Sequence, residues 1–93
     1  MKDKQDCNIQ SVRKITADAI YVMLKDEIDN IEKDIFKAAQ NGFFSADFEN
    51  IESIHYIAFY FRQKGFEVNI DDYEKGEPAM IIWSYDDNFK SIF

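Results

Sequence analysis

The chain has 93 residues, 46% of them hydrophobic and 16% aromatic, with nine Phe, three Gly and one Pro. That composition excludes a disordered tail or a low-complexity linker, and a chain of this size buries roughly 60–65% of its unfolded surface, enough for one core. The net charge of −7 repels phosphate backbones at long range and argues against direct nucleic-acid binding.

Residues 1–14 show neither helical nor strand periodicity and read as a flexible N-terminal arm, leaving a single α+β domain over 15–93. Lys2, Lys4, Arg13 and Lys14 face only Asp3 and Asp6 there, so the arm carries +2 and the rest of the chain −9. Cys7 is the sole cysteine, which excludes an internal disulfide and fits a reducing cytoplasm. No secretion signal or membrane-length apolar run is present, so the expectation is a cytoplasmic protein without a membrane partner.

From Thr16 to Asn41, the residues Ile20, Leu24, Ile28, Ile31, Ile35 and Ala38 or Ala39 recur at three- and four-residue spacing. The spacing predicts one helix of about 39 Å, at about 1.5 Å per residue. Thr16 is the expected N-cap, Asp18 sits in the first turn, and Gly42 is the expected stop. Val22, Met23 and Phe36 widen the apolar stripe. Opposite it lie Asp26, Glu27, Asp29, Glu32, Lys33, Asp34 and Lys37, where Asp29 precedes Lys33 and Lys33 precedes Lys37 by four residues, so only some of these charges can pair.

Over 43–48, Phe44, Ala46 and Phe48 alternate with Ser45 and Asp47, which predicts a short strand with one buried face. The next stretch, Ile51 to Phe66, holds three Phe, two Tyr and three Ile and reads as a helix covered on more than one side. Asn50 is the expected N-cap with Glu52 in the first turn. Gly65 suits a left-handed C′ position, which would put Phe66 on Phe61. Phe66, Val68 and Ile70 then alternate with Glu67, Asn69 and Asp71 as a half-solvated strand. After a polar turn around Gly76, the run Ala79 to Tyr85 is apolar on both faces and suits the middle of a sheet. The tail 86–93 carries Phe89, Ile92 and Phe93 at helical spacing. The predicted fold is α-β-α-β-β, a small and mainly antiparallel three-stranded sheet in the order 1-3-2 on two helices.

Little here points to catalysis. With one His and one Cys no zinc set can be assembled within one chain, and His55 reads as a packed or hydrogen-bonded helix residue. Asp71, Asp72, Glu74 and Glu77 around Gly76 fail the EF-hand spacing, because Tyr73 and Lys75 stand where oxygen ligands belong. The isolated glycines make no phosphate cradle. No cofactor is expected. Two features remain. The carboxylates Asp26, Glu27, Asp29, Glu32 and Asp34 with Asp71, Asp72 and Glu74 would serve solubility or dock a basic surface. The aromatics Tyr56, Tyr60 and Trp83 with Arg62 and Lys64 would form core or stack a nucleobase beside its phosphate.

The run AAQNGFFSADFE, then YFRQKGFEV, then MIIWS resembles a type of small tailed-bacteriophage protein. Ala38, Ala39, Gly42, Phe44, Ser45, Gly65, Phe66, Val68, Ile81 or Ile82, and Trp83 carry the resemblance over residues 28–84. It implies a phage gene product acting in the cytoplasm of an infected bacterium, among which are inhibitors of host defence and minor assembly factors. The expectation is a non-catalytic binding protein that occupies a host protein, such as a defence component, through its acidic surface. The alternatives are an oligomeric sponge for a nucleotide signal and a minor virion or assembly protein. A homodimer or higher homo-oligomer is also expected, with Ile20, Met23 and Leu24 overhanging the core as the interface, strengthened as salt screens the acidic body.

Overall fold

The computed structural model describes residues 7–49 and 51–84. Three helices, α1 (Ile9–Met23), α2 (Lys25–Gln40) and α3 (Ile54–Gln63), combine with strands β1 (Ser45–Phe48), β2 (Glu67–Asn69) and β3 (Ala79–Ile82). The sheet order is β1-β3-β2, and both pairings are antiparallel. The α+β class and the 1-3-2 order are as the sequence predicts. Register brings Ala46 and Val68 to either side of Ile81, and Phe48 opposite Ala79. These residues share one sheet face, since side chains alternate along each strand. The Phe44 carbonyl accepts from the Trp83 N–H at 2.9 Å and extends the β1–β3 pairing by one step.

Two expectations about the N-terminal half fail. Residues 9–14, the last part of the expected arm, are helical and open α1, and Asn8 rather than Thr16 caps it by accepting from the Ser11 N–H at 2.9 Å. The single helix expected over Thr16–Asn41 is also broken in two. Leu24 leaves helical geometry, with φ −121° and ψ 33°. No Gly or Pro stands there, so no local signal marks the break. Packing accounts for it: α1 lies against α3, whereas α2 lies against β1. Leu24 packs on the core at the corner, and its carbonyl still accepts from the Ile28 N–H at 2.9 Å.

The helix stops follow their glycines. Gly42 and Gly65 adopt φ of 88° and 102°, a region that costs a Cβ-bearing residue dearly. At the end of α3 the Phe66 N–H donates to the Phe61 carbonyl and the Gly65 N–H to that of Arg62, both at 3.0 Å. The same pair of bonds closes α2 through Phe43 to Ala38 and Gly42 to Ala39. This is the Schellman arrangement, and the Phe61 and Phe66 rings meet edge-on at 5.8 Å as it requires. The start of α3 differs from expectation. It opens at Ile54 after Ser53, so Glu52 precedes the helix, and Asn50 lies outside the described residues.

The core gathers Ala17 and Ile20 from α1, Ile28, Ile31 and Ile35 from α2, and Ile57, Ala58, Tyr60 and Phe61 from α3, with Phe48, Val68 and Ile81 from the sheet. An aromatic ladder crosses it. Tyr21 stacks on Tyr60 (6.1 Å), Tyr60 meets Phe61 (5.1 Å), Phe61 meets Phe66, and Phe66 meets Trp83 (6.2 Å). The expected tail element falls beyond residue 84 and outside the described residues.

Candidate functional site

The carboxylates expected to form one acidic face are distributed around α2 by its own geometry. At 100° per residue Glu27 and Asp34 fall on one flank, Asp29 and Glu32 on the other, and Asp26 shares the crest with Lys33 and Lys37. Asp26, Glu27 and Asp34 are exposed, while Asp29 and Glu32 are half-buried. Asp29 is already engaged. One oxygen accepts from the Tyr21 hydroxyl at 3.0 Å and the other from Lys25 Nζ at 2.9 Å. Its cation is therefore Lys25, not Lys33. These bonds hold its carboxyl below the ordinary value, Lys25 first and Tyr21 second, and the bond to Asp29 raises the Tyr21 phenol. The contact ties α1 to α2 across the Leu24 break. Its role is structural, and Asp29 is the least available of the predicted docking carboxylates.

The other expected acidic group, Asp71, Asp72 and Glu74, is exposed on the turn that joins β2 to β3. Asp72 lies 3.8 Å from Lys75. This turn is firmly built. The Tyr73 hydroxyl accepts from the Ile51 N–H at 2.8 Å and donates to the Ile51 carbonyl at 3.2 Å. Asn69 Oδ1 takes the Asp71 N–H, and Gly76 closes a short 3-10 turn at φ 96°. Sequence reading placed Tyr73 only as an obstacle to calcium. Its partner lies 22 residues away, and no local pattern signals such a pairing.

The five residues of the nucleotide reading are dispersed. Tyr60 is 5% exposed and sits within the aromatic ladder, with Lys64 Nζ 5.4 Å from its ring centroid. Arg62 donates to the Val68 carbonyl at 2.7 Å, which fastens α3 to β2. Tyr56 is exposed elsewhere on α3. Besides that Lys64–Tyr60 contact, Lys64 and Trp83 share an open cleft of about 360 Å³ with Phe66 and Ser84. His55 is exposed as well, contrary to the packed or hydrogen-bonded role expected of it. Among the described residues no group of three His, Cys, Asp or Glu side chains could hold a metal ion, and no helix is long and apolar enough to cross a membrane.

One apolar feature escaped the sequence reading. Where α2 and the end of α3 diverge, Ile35, Phe36, Phe61 and Phe66 line an open groove of about 300 Å³, with Glu32 and Lys64 at its rim. Phe36 is 66% exposed there. The sequence noted Phe36 beside the helical stripe; the divergence of the two helices turns that stripe edge into a groove. Of the α2 carboxylates, half-buried Glu32 borders this groove, whereas Glu27 and Asp34 lie on the opposite flank. The chain matches no protein-family model, no curated protein and no solved structure.

Proposed function

We propose that this chain is a non-enzymatic binding protein of bacteriophage type, which occupies a basic surface of a host protein, such as a defence component, in the infected cell. The observation that carries this reading is the apolar groove beside Phe36 with the half-buried carboxylate of Glu32 at its rim. A basic segment with one apolar anchor fits this groove: its side chain enters beside Phe36, and a cation reaches Glu32 at the rim. Such an interface gains on-rate and selectivity from charge and holding power from the buried anchor. The phage origin rests on the pattern of Gly42, Phe44, Ser45, Gly65, Phe66 and Trp83.

The test is capture from bacterial lysate by the tagged full chain, beside a Glu32→Lys variant and a Phe36→Glu variant. A partner held at micromolar concentration, released by salt and lost in both variants, is expected. No partner, or one retained equally by both variants, overturns the reading. The nucleotide-sponge alternative keeps one cleft, at Lys64 and Trp83. A thermal shift of several degrees with cyclic or linear nucleotides would move the assignment there.

A further inference from the structure

Helix α1 is apolar on two sides. Ala17 and Ile20, with Tyr21 and Leu24, face the core. Rotated well away from them, Val12, Ile15, Ala19 and Val22 are exposed, Val22 to 78%, and exposed Met23 and Ile9 lie between this stripe and the core side. Val12, Ile15, Ala19 and Val22 follow alternating three- and four-residue steps, the seam of a coiled coil. No charged residue interrupts that seam across the whole helix.

We propose that this face binds a second copy of the chain, with the two α1 helices antiparallel. Three observations select that occupant. First, the seam reads nearly the same in both directions. An antiparallel partner sets Val12 against Val22 and Ile15 against Ala19, both about a single dyad at residue 17, with Met23 flanking the seam. Second, the stripe with Met23 at its flank offers on the order of 500 Å² of apolar surface, a large share of the roughly 800 Å² per partner of a standard interface. Third, the orientation suits the charge. A parallel pair would bring both α2 starts, with Asp26 and Glu27, to one end of the interface, in a chain of net charge −7. The antiparallel pair separates those ends by about 22 Å, the length of fifteen residues of helix, and opposes the two helix dipoles. The interface expected from sequence is thereby moved: Ile20 is 2% exposed within one chain and Leu24 packs on its core, leaving Met23 alone of the three at the new face.

Sedimentation equilibrium of the full chain from about 1 to 200 µM tests this. A dimer is expected, and a monomer throughout overturns the proposal. Ile15→Glu and Val22→Glu should each weaken the dimer at least ~100-fold by burying an unpaired charge. Helix content by circular dichroism should stay unchanged, and dimers that survive both substitutions overturn the proposal. Orientation is read in a Cys7→Ser background under mild oxidation. Ile15→Cys chains mixed with Ala19→Cys chains should cross-link to each other and neither to itself. Self-linking of Ile15→Cys alone would refute the antiparallel arrangement.

Discussion

Helices α1 and α3 are both rich in apolar residues, yet they use that surface differently. Of the ten residues of α3, five are buried: Ile54, Ile57, Ala58, Tyr60 and Phe61. Of the fifteen of α1, only Ala17 and Ile20 are, while Ile9, Val12, Ile15, Val22 and Met23 face outward. Position explains the difference. Helix α3 has α1 on one side and β2 on another, whereas α1 packs chiefly on α3 and α2. Apolar content thus predicts burial, but only the arrangement of neighbours decides whether the same chain provides it. The predictions below separate surface that the fold needs from surface it leaves for a partner.

The largest effect is expected at Phe61, which is 1% exposed and touches rings on both sides in the ladder. Phe61→Ala should cost about 3–5 kcal/mol by urea denaturation, and Ile54→Ala about 2–3 kcal/mol because Ile54 lies outside the main cluster. An unchanged midpoint for Phe61→Ala would remove α3 from the centre of the fold. The two faces of α1 should then differ from each other. At concentrations below dimer formation, Ile20→Ala should cost about 2–4 kcal/mol and Val22→Ala less than about 0.5 kcal/mol. Equal costs would mean that Val22 is buried within one chain.

A smaller effect tests how the two helices end. Gly65→Ala should destabilise by roughly 1–2 kcal/mol, because the φ of 102° is strained for any Cβ-bearing residue although the space around it is open. Leu24→Ala, at the break without a glycine, should lose packing without lengthening either helix. A single continuous helix in that variant, seen by NMR secondary shifts, would show that Leu24 itself makes the break.

That contrast marks how much was legible. The stop at Gly65, the Phe66–Phe61 contact, the strand alternation and the sheet order all rest on local chemistry or period-two patterning, and the sequence states them openly. The break at Leu24 is different. Its apolar stripe is continuous on both sides, because Ala17, Ile20 and Leu24 keep the same helical period as Leu24, Ile28 and Ile31. Periodicity reports which face is buried and is blind to a change of axis that preserves the face. The misplaced arm has a related cause: Ile9, Val12 and Ile15 do recur helically, but on a face that this chain does not cover. For the candidate site, residue types were legible and their grouping was not. Asp29, Arg62 and Tyr60 are committed to Tyr21 and Lys25, to Val68 and to the ladder; Lys25 stands four residues before Asp29 on the same helix, but the other partners are set by tertiary structure.

The smallest expected effect concerns the contact that holds α1 on α2. Its sign follows from the two groups. The Asp29 carboxyl is held below its ordinary value by Lys25 and then Tyr21, so its contribution is present above the unfolded value, near 3.9, and fades as pH falls through the folded one. The Tyr21 phenol is raised, chiefly by its bond to Asp29. That contribution is complete below about pH 10 and fades as pH rises through the folded value. The difference in melting temperature between the wild type and Tyr21→Phe should therefore be flat from about pH 5 to 9. It should shrink toward pH 2.5, where neutral Asp29 is a weaker acceptor, and again above about pH 10. In an Asp29→Asn background the acid limb should vanish while the stacking of residue 21 on Tyr60 persists. A difference that stays constant down to pH 2.5 would mean that the stack alone positions α1. The outward face of α1 would then owe its orientation to α3, and not to the junction with α2.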